Sequence, residues 1–212
     1  MNIVRNNLNK GTVQGIVASD VYSPNDNVSV VTVRVKDSRV NPKIGRKPLF
    51  FIQFSAFGDK ALELRQKCQK GQLIYIEYYL ATSRKTDSKG VTSFFRSRVI
   101  TEFSLGDVVG ENNNTFIPYI NGGYLQGDFV SLKNAVNAER VAFLTIRVTT
   151  EMDGRERTYY LSMSVYGGLI EAIRENYKSG DSIGVSYKIE TDVKVKDGEK
   201  KYLMDYVVTG LL

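Results

Sequence analysis

Apolar and polar residues alternate with a period of two along much of the chain, the pattern of strands with one buried face. In Phe50-Phe51-Ile52-Gln53-Phe54-Ser55-Ala56-Phe57-Gly58, one face carries Phe50, Ile52, Phe54 and Ala56 and reads as core. Phe51, Gln53, Ser55 and Phe57 fall on the other face, so the polar side holds two aromatics separated by two polar residues. The arrangement returns roughly 109 residues later, a period that implies two copies of one domain. There, Tyr160, Ser162, Ser164 and Tyr166 face out, while Leu161, Met163 and Val165 face in. A paired aromatic face of this kind suits flat, unpaired bases.

The rest of each copy follows the same phase. A first strand over 12–17 contains Gly15 and is echoed over 125–130 with Gly127; a glycine at the same place predicts a bend. Ser23-Pro24-Asn25-Asp26-Asn27 has turn chemistry. A second strand over 30–36 buries Val31, Val33 and Val35 and exposes Thr32, Arg34 and Lys36. Its echo over 144–148 exposes Thr145 and Arg147. One outward arginine is ordinary on a half-buried sheet; its recurrence beside an aromatic strand suits phosphate contact. A polar loop over 37–47 with Arg39, Lys43, Arg46 and Lys47 shrinks in the second copy to a tight turn over 151–155. Ala61, Leu64 and Cys68 share a helical stripe over 59–68, closed by Lys70-Gly71, and the second copy offers a helix over 169–177 closed by Ser179-Gly180. Strands over 73–80 and 94–100 flank a polar hairpin with Arg84 and Lys85, and 182–208 repeats that hairpin. Three strands, a helix and two strands is the order of the OB-fold, a five-stranded Greek-key barrel that commonly binds oligonucleotides. The expectation is an all-β chain with one short helix per domain. It has two tandem OB-folds, at 1–108 and 116–212, joined by an asparagine-rich linker over 109–115.

Composition narrows the chemistry. Among 212 residues there is no histidine and one cysteine, which excludes Ser-His-Asp and Cys-His nucleophile systems and a histidine- or cysteine-built zinc site. No Walker A sequence is present, and the glycines near Gly122 do not follow the dinucleotide fingerprint. Acidic residues lie singly or in hairpin-like groups such as Glu151, Asp153 and Glu156, so magnesium-dependent nuclease chemistry is the one enzyme alternative. No enzymatic activity, cofactor or metal is expected. The net charge is +6, and residues 1–109 hold 17 Lys/Arg against 9 Asp/Glu while residues 110–212 hold 12 against 14. A basic first copy points to a polyanion partner. Cys68 sits on an apolar stripe and reads as core, and a single cysteine fits a reducing, cytoplasmic setting. The N-terminal residues lack the apolar run of a secretory signal, and no segment reaches membrane-spanning length.

The segments 54–61 and 68–77, together with Thr86-Asp87-Ser88-Lys89-Gly90, resemble the bacterial-type single-stranded DNA-binding proteins over most of residues 1–105. In the second copy Val165-Tyr166-Gly167 and Lys178-Ser179-Gly180 keep the likeness. The resemblance implies that Phe51, Phe57, Tyr160 and Tyr166 stack on bases. Two further stacking positions of that family, where it has tryptophan, fall here at Lys85 and near Arg39, so charge replaces stacking and a steeper salt dependence follows. Phosphate tracking is expected of Arg34, Lys36, Arg46, Lys47, Arg84, Lys85 and Arg147. The family's acidic tail has no counterpart in the closing residues Val208-Thr209-Gly210-Leu211-Leu212, which suggests a phage or mobile-element setting and no tail-mediated recruitment. Two domains per chain imply a homodimer presenting four OB domains, with Val4, Tyr22 or the Tyr75/Tyr79 face as candidate interfaces. The alternative is an OB-fold adaptor of a replication or phage complex that binds proteins instead of single-stranded DNA. RNA as the nucleic acid is a variant of the first reading.

Overall fold

The structure is a computed structural model that describes residues 7–37, 45, 48–88, 90, 92–109, 117, 119–136, 138–152, 155–196 and 199–212; at 85, 94, 138, 139, 152, 192–196 and 199–202 it describes the backbone alone. The first unit runs β1 (Asn9–Val17), β2 (Tyr22–Asn25), β3 (Val28–Lys36), β4 (Leu49–Phe57), α1 (Asp59–Lys67), β5 (Gln72–Thr86) and β6 (Thr92–Val108). β1 pairs antiparallel with β3 and β5, β3 with β4, and β5 with β6. A parallel contact of Ser55 with Val99 closes β4 onto β6. The second unit runs β7 (Ile120–Ala135), β8 (Ala138–Met152), β9 (Arg155–Tyr166), α2 (Gly168–Asn176), β10 (Ser182–Lys196) and β11 (Glu199–Leu211). Its ladders match, with Ser164 against Val207 as the parallel closure. Each unit is a closed five-stranded barrel, and the chain is two tandem OB-folds.

Inward residues of the period-two pattern fill the barrels: Val31, Val33, Ile52, Phe54 and Ala56 in one, Leu144, Ile146, Leu161, Met163 and Val165 in the other, all essentially without exposure. The helices stopper the barrels through Ala61 and Leu64, and through Ile170 and Ile173. Both helices start from a glycine of almost identical conformation, Gly58 at φ 58°, ψ −136° and Gly167 at φ 60°, ψ −137°. Only glycine adopts that region without strain, so the aromatic-Gly step is a backbone requirement of the turn from strand to helix.

Three expectations need correction. The expected turn over 23–27 contains a short edge strand, β2, with Asp26 and Asn27 at the tip. Pro24 is tolerated there because an edge strand can spare an N–H, and the Asn25 side chain accepts from the Asn27 N–H at 3.0 Å. Helix α1 ends at Lys67, ahead of the Lys70-Gly71 turn, and Cys68 is its extended C-cap (φ −86°, ψ 129°). Cys68 is buried all the same, and burial pushes its thiol up to about 11. The second helix likewise starts and stops one residue earlier than expected. Of the expected linker over 109–115, Val109 is described and residues 110–115 lie outside the described residues.

The two barrels share a ladder. β1 starts three residues earlier than its hydrophobic pattern suggests, and its outer edge pairs antiparallel with β7 from Asn9↔Leu125 to Gln14↔Ile120. One sheet therefore runs through both units. Small residues make the approach possible: a Cβ on Gly123 would lie 2.3 Å from the Lys10 carbonyl oxygen and 2.6 Å from the Gly11 Cα. Tyr78, Tyr187 and Tyr206 are buried at this junction, with the Tyr187 and Tyr206 rings edge to face at 5.9 Å.

Candidate nucleic-acid interface

The outer faces of β3–β4 and β8–β9 carry the repeated aromatics. Register places Arg34 directly across from Phe51, Thr32 from Gln53, Val30 from Ser55 and Val28 from Phe57. In the second unit Arg147 faces Tyr160, Thr145 faces Ser162, Phe143 faces Ser164 and Val141 faces Tyr166. Directly opposed residues share a face with Cβ atoms about 5 Å apart, so each arginine stands beside an aromatic ring. Phe51, Phe57, Tyr160 and Tyr166 are 43, 46, 55 and 46 % exposed, which is unusual for rings with a packed core one residue away. Six residue steps separate the aromatics of each pair, about 20 Å of surface. Each platform is therefore long enough for several bases.

The platforms are not equivalent. On the first, Arg34 and Lys36 are exposed, and the partner of Arg34 on β1 is the apolar Ile16. On the second, the residue in that place is Asp128, the ladder partner of Arg147. The Asp128 Oδ2 accepts from Arg147 Nε at 3.0 Å and from Nη2 at 2.6 Å. These bonds raise the guanidinium pKa further above its ordinary value, with Tyr160 as a lesser neighbour. Arg147 thus occupies the expected face with its charge already partnered. The second platform also carries a third exposed ring, Phe143, which sequence reading missed because its echo strand was begun at Leu144. The alternation of Thr145 and Arg147, continued two residues back, would have found it. Ser164, expected to face solvent, is only 2 % exposed; it is a short side chain between the larger Phe143 and Tyr166.

Each platform is completed by the other unit. The hairpin of β5 and β6 reaches over to β9: Arg96 Nη1 donates to the Ser162 carbonyl at 3.0 Å, and the Tyr79 and Tyr159 rings lie 6.2 Å apart. Thr82 pairs with Arg96, and Arg84 lies two residues further along the hairpin, opposite Phe94. In return, the Phe51 N–H donates to Thr191 Oγ1 of β10 at 3.3 Å. Arg98 stitches the junction, donating from Nε to the Gln53 carbonyl at 2.6 Å and from Nη1 to the Tyr206 hydroxyl at 3.0 Å. These crossings were not legible in the sequence, because hydrophobic period reports burial and not which barrel supplies the cover. Arg46, Lys47 and the Lys85 side chain lie outside the described residues. Tyr79 of the candidate dimer face is engaged within the chain, and Tyr22 is exposed. Among the described residues no group of acidic, cysteine or histidine side chains is placed to hold a metal ion. Among the described residues no helix is long and apolar enough to cross a membrane.

Solved structures share this architecture. A deletion mutant of the single-stranded DNA binding protein from Thermus aquaticus matches with a TM-score of 0.68 and 16 % identity, over 97 % of this chain and 94 % of that one. The wild-type protein from the same organism gives 0.65 and 15 %, over 97 % and 92 %. At such identity the likeness shows the fold, two OB barrels in one chain. No protein-family model matches the chain, and no curated protein does.

Proposed function

We propose that the chain is a non-enzymatic, sequence-independent single-stranded DNA-binding protein that covers exposed strands during replication, recombination or repair. The units 1–108 and 116–212 act as its two binding domains, and two chains assemble to present four. The observation that supports this reading is the pair of ladders in which an outward aromatic stands beside an outward arginine, Phe51 with Arg34 and Tyr160 with Arg147. Bases stack on the rings, every base having a flat face to offer, and cations along the strands meet the phosphates. Because stacking and phosphate contact are open to any base, no sequence preference is assigned. Of the described cations, Arg34 and Lys36 serve the first platform, and Arg84 adds a charge along the β5–β6 hairpin.

The test is tyrosine fluorescence during titration with poly(dT), with duplex DNA as control. Quenching by the single strand alone, weaker at high salt and reduced in Tyr160→Ala, is the expected result. A chain that responds to no nucleic acid at low salt is not a DNA-binding protein, and its aromatic faces then serve to dock proteins.

A further inference from the structure

The two platforms share their strand register, and one difference between them lies behind the outward arginines. Behind each outward arginine lies a residue of the first strand of the barrel: Ile16 behind Arg34 and Asp128 behind Arg147. The preceding glycines, Gly15 and Gly127, are held by the same constraint. A Cβ on either would meet the carbonyl oxygen of that arginine, at 2.5 Å from Arg34 and 2.3 Å from Arg147. The two strands therefore make the same close passage where the side chains diverge. Asp128 is 9 % exposed, and its Oδ2 takes both the Nε and a terminal nitrogen of Arg147. A partly buried carboxylate that already holds two N–H groups of the guanidinium competes directly with a phosphate oxygen for them, and its own charge repels the phosphate.

Resting on the single-stranded DNA reading above, we infer that Asp128 is a positioning residue that sequesters Arg147, so that the first platform binds with cationic help and the second chiefly by stacking. Phe143 fits this division, because it adds a ring to the face from which a charge has been withdrawn. The two faces then differ in what weakens them. Salt loosens the first, whereas the second depends on the bases lying flat. At moderate salt a strand keeps its hold on the second platform while its grip on the first declines.

The experiment is the salt dependence of poly(dT) affinity for the full chain and two variants, with circular dichroism to verify folding. Asp128→Asn keeps the shape and removes the charge, releasing Arg147. The log-log salt slope becomes steeper by about 0.7, the increment for one added phosphate contact on a single strand, so the loss of affinity over a fourfold rise in salt grows by about threefold. Ile16→Asp places a carboxylate behind Arg34 and makes the slope shallower by about the same amount. A merely structural role for Asp128 would change the affinity level or the stability and leave the slope alone. Should Asp128→Asn fail to fold, Ile16→Asp decides. An unchanged slope in the folded variants, with wild-type binding intact, overturns the inference. If the wild type itself does not bind, the functional reading has failed and the inference falls with it.

Discussion

Phe51 and Phe54 are three residues apart on one strand and answer to different forces. Phe54 has no exposure, whereas Phe51 keeps 43 %. Phe54→Ala should therefore lower stability by about 3–5 kcal/mol, read from denaturant unfolding. Phe51→Ala should leave the unfolding midpoint almost unchanged and weaken poly(dT) binding by about 1–3 kcal/mol, read by titration. A Phe51→Ala protein that loses stability but not affinity would make that ring a packing residue. Cys68 gives a second single-residue case. With its thiol pushed up to about 11 from 9.0 by burial, the thiolate fraction at neutral pH falls about a hundredfold. Thiol reagents should thus label the native chain far more slowly than the urea-unfolded chain; equal rates would contradict the burial. The division into inward and outward residues was legible at this scale, since alternation sets it directly. The pairing of Arg147 with Asp128 was not, because it depends on strand register across a barrel seam.

At the scale of elements, the two glycines read from sequence as a bend turn out to mark a close passage of one strand over another. The space at Gly127 is occupied by the Arg147 carbonyl, and Ile146 Cγ2 lies 3.1 Å from where a Cβ would stand. Since the neighbour is backbone, Gly127→Ala cannot be absorbed by a rotamer change and should cost about 1–3 kcal/mol, measurable as a lowered melting temperature. A variant as stable as the wild type would show that the seam can open without cost. Helices, long strands and their order were legible because each has a strong period. The edge strand β2 was not: four residues with a proline carry turn residues and strand residues alike, and pairing with β3 decides between them.

The whole molecule is held as one body by the β1–β7 ladder and by the tyrosines beneath it. The repeat announced two barrels, but nothing in its period tells which edge meets which. That edge is written in small residues, Gly11 and Gly123, and these look like loop residues in a linear reading. Burial raises the phenol pKa of Tyr78, Tyr187 and Tyr206 above the ordinary 10.0. The folded state therefore keeps protons that the unfolded chain releases from its ordinary value upward. This contribution to stability is complete below 10.0 and declines as pH rises from there through the folded-state values. The melting temperature should hold steady up to about pH 9 and fall by about pH 11. A flat profile across that range would mean that these phenols ionise as easily folded as unfolded.

Because the ladder joins two halves of one polypeptide, the pair of barrels has a symmetric shape without a symmetric sequence. In an assembly of identical copies, a substitution that suits one platform is imposed on every other. Here a carboxylate can arise behind one arginine while an isoleucine persists behind its twin. Two copies within one chain leave each half free to differ, and the β1–β7 ladder holds the unlike halves in one sheet.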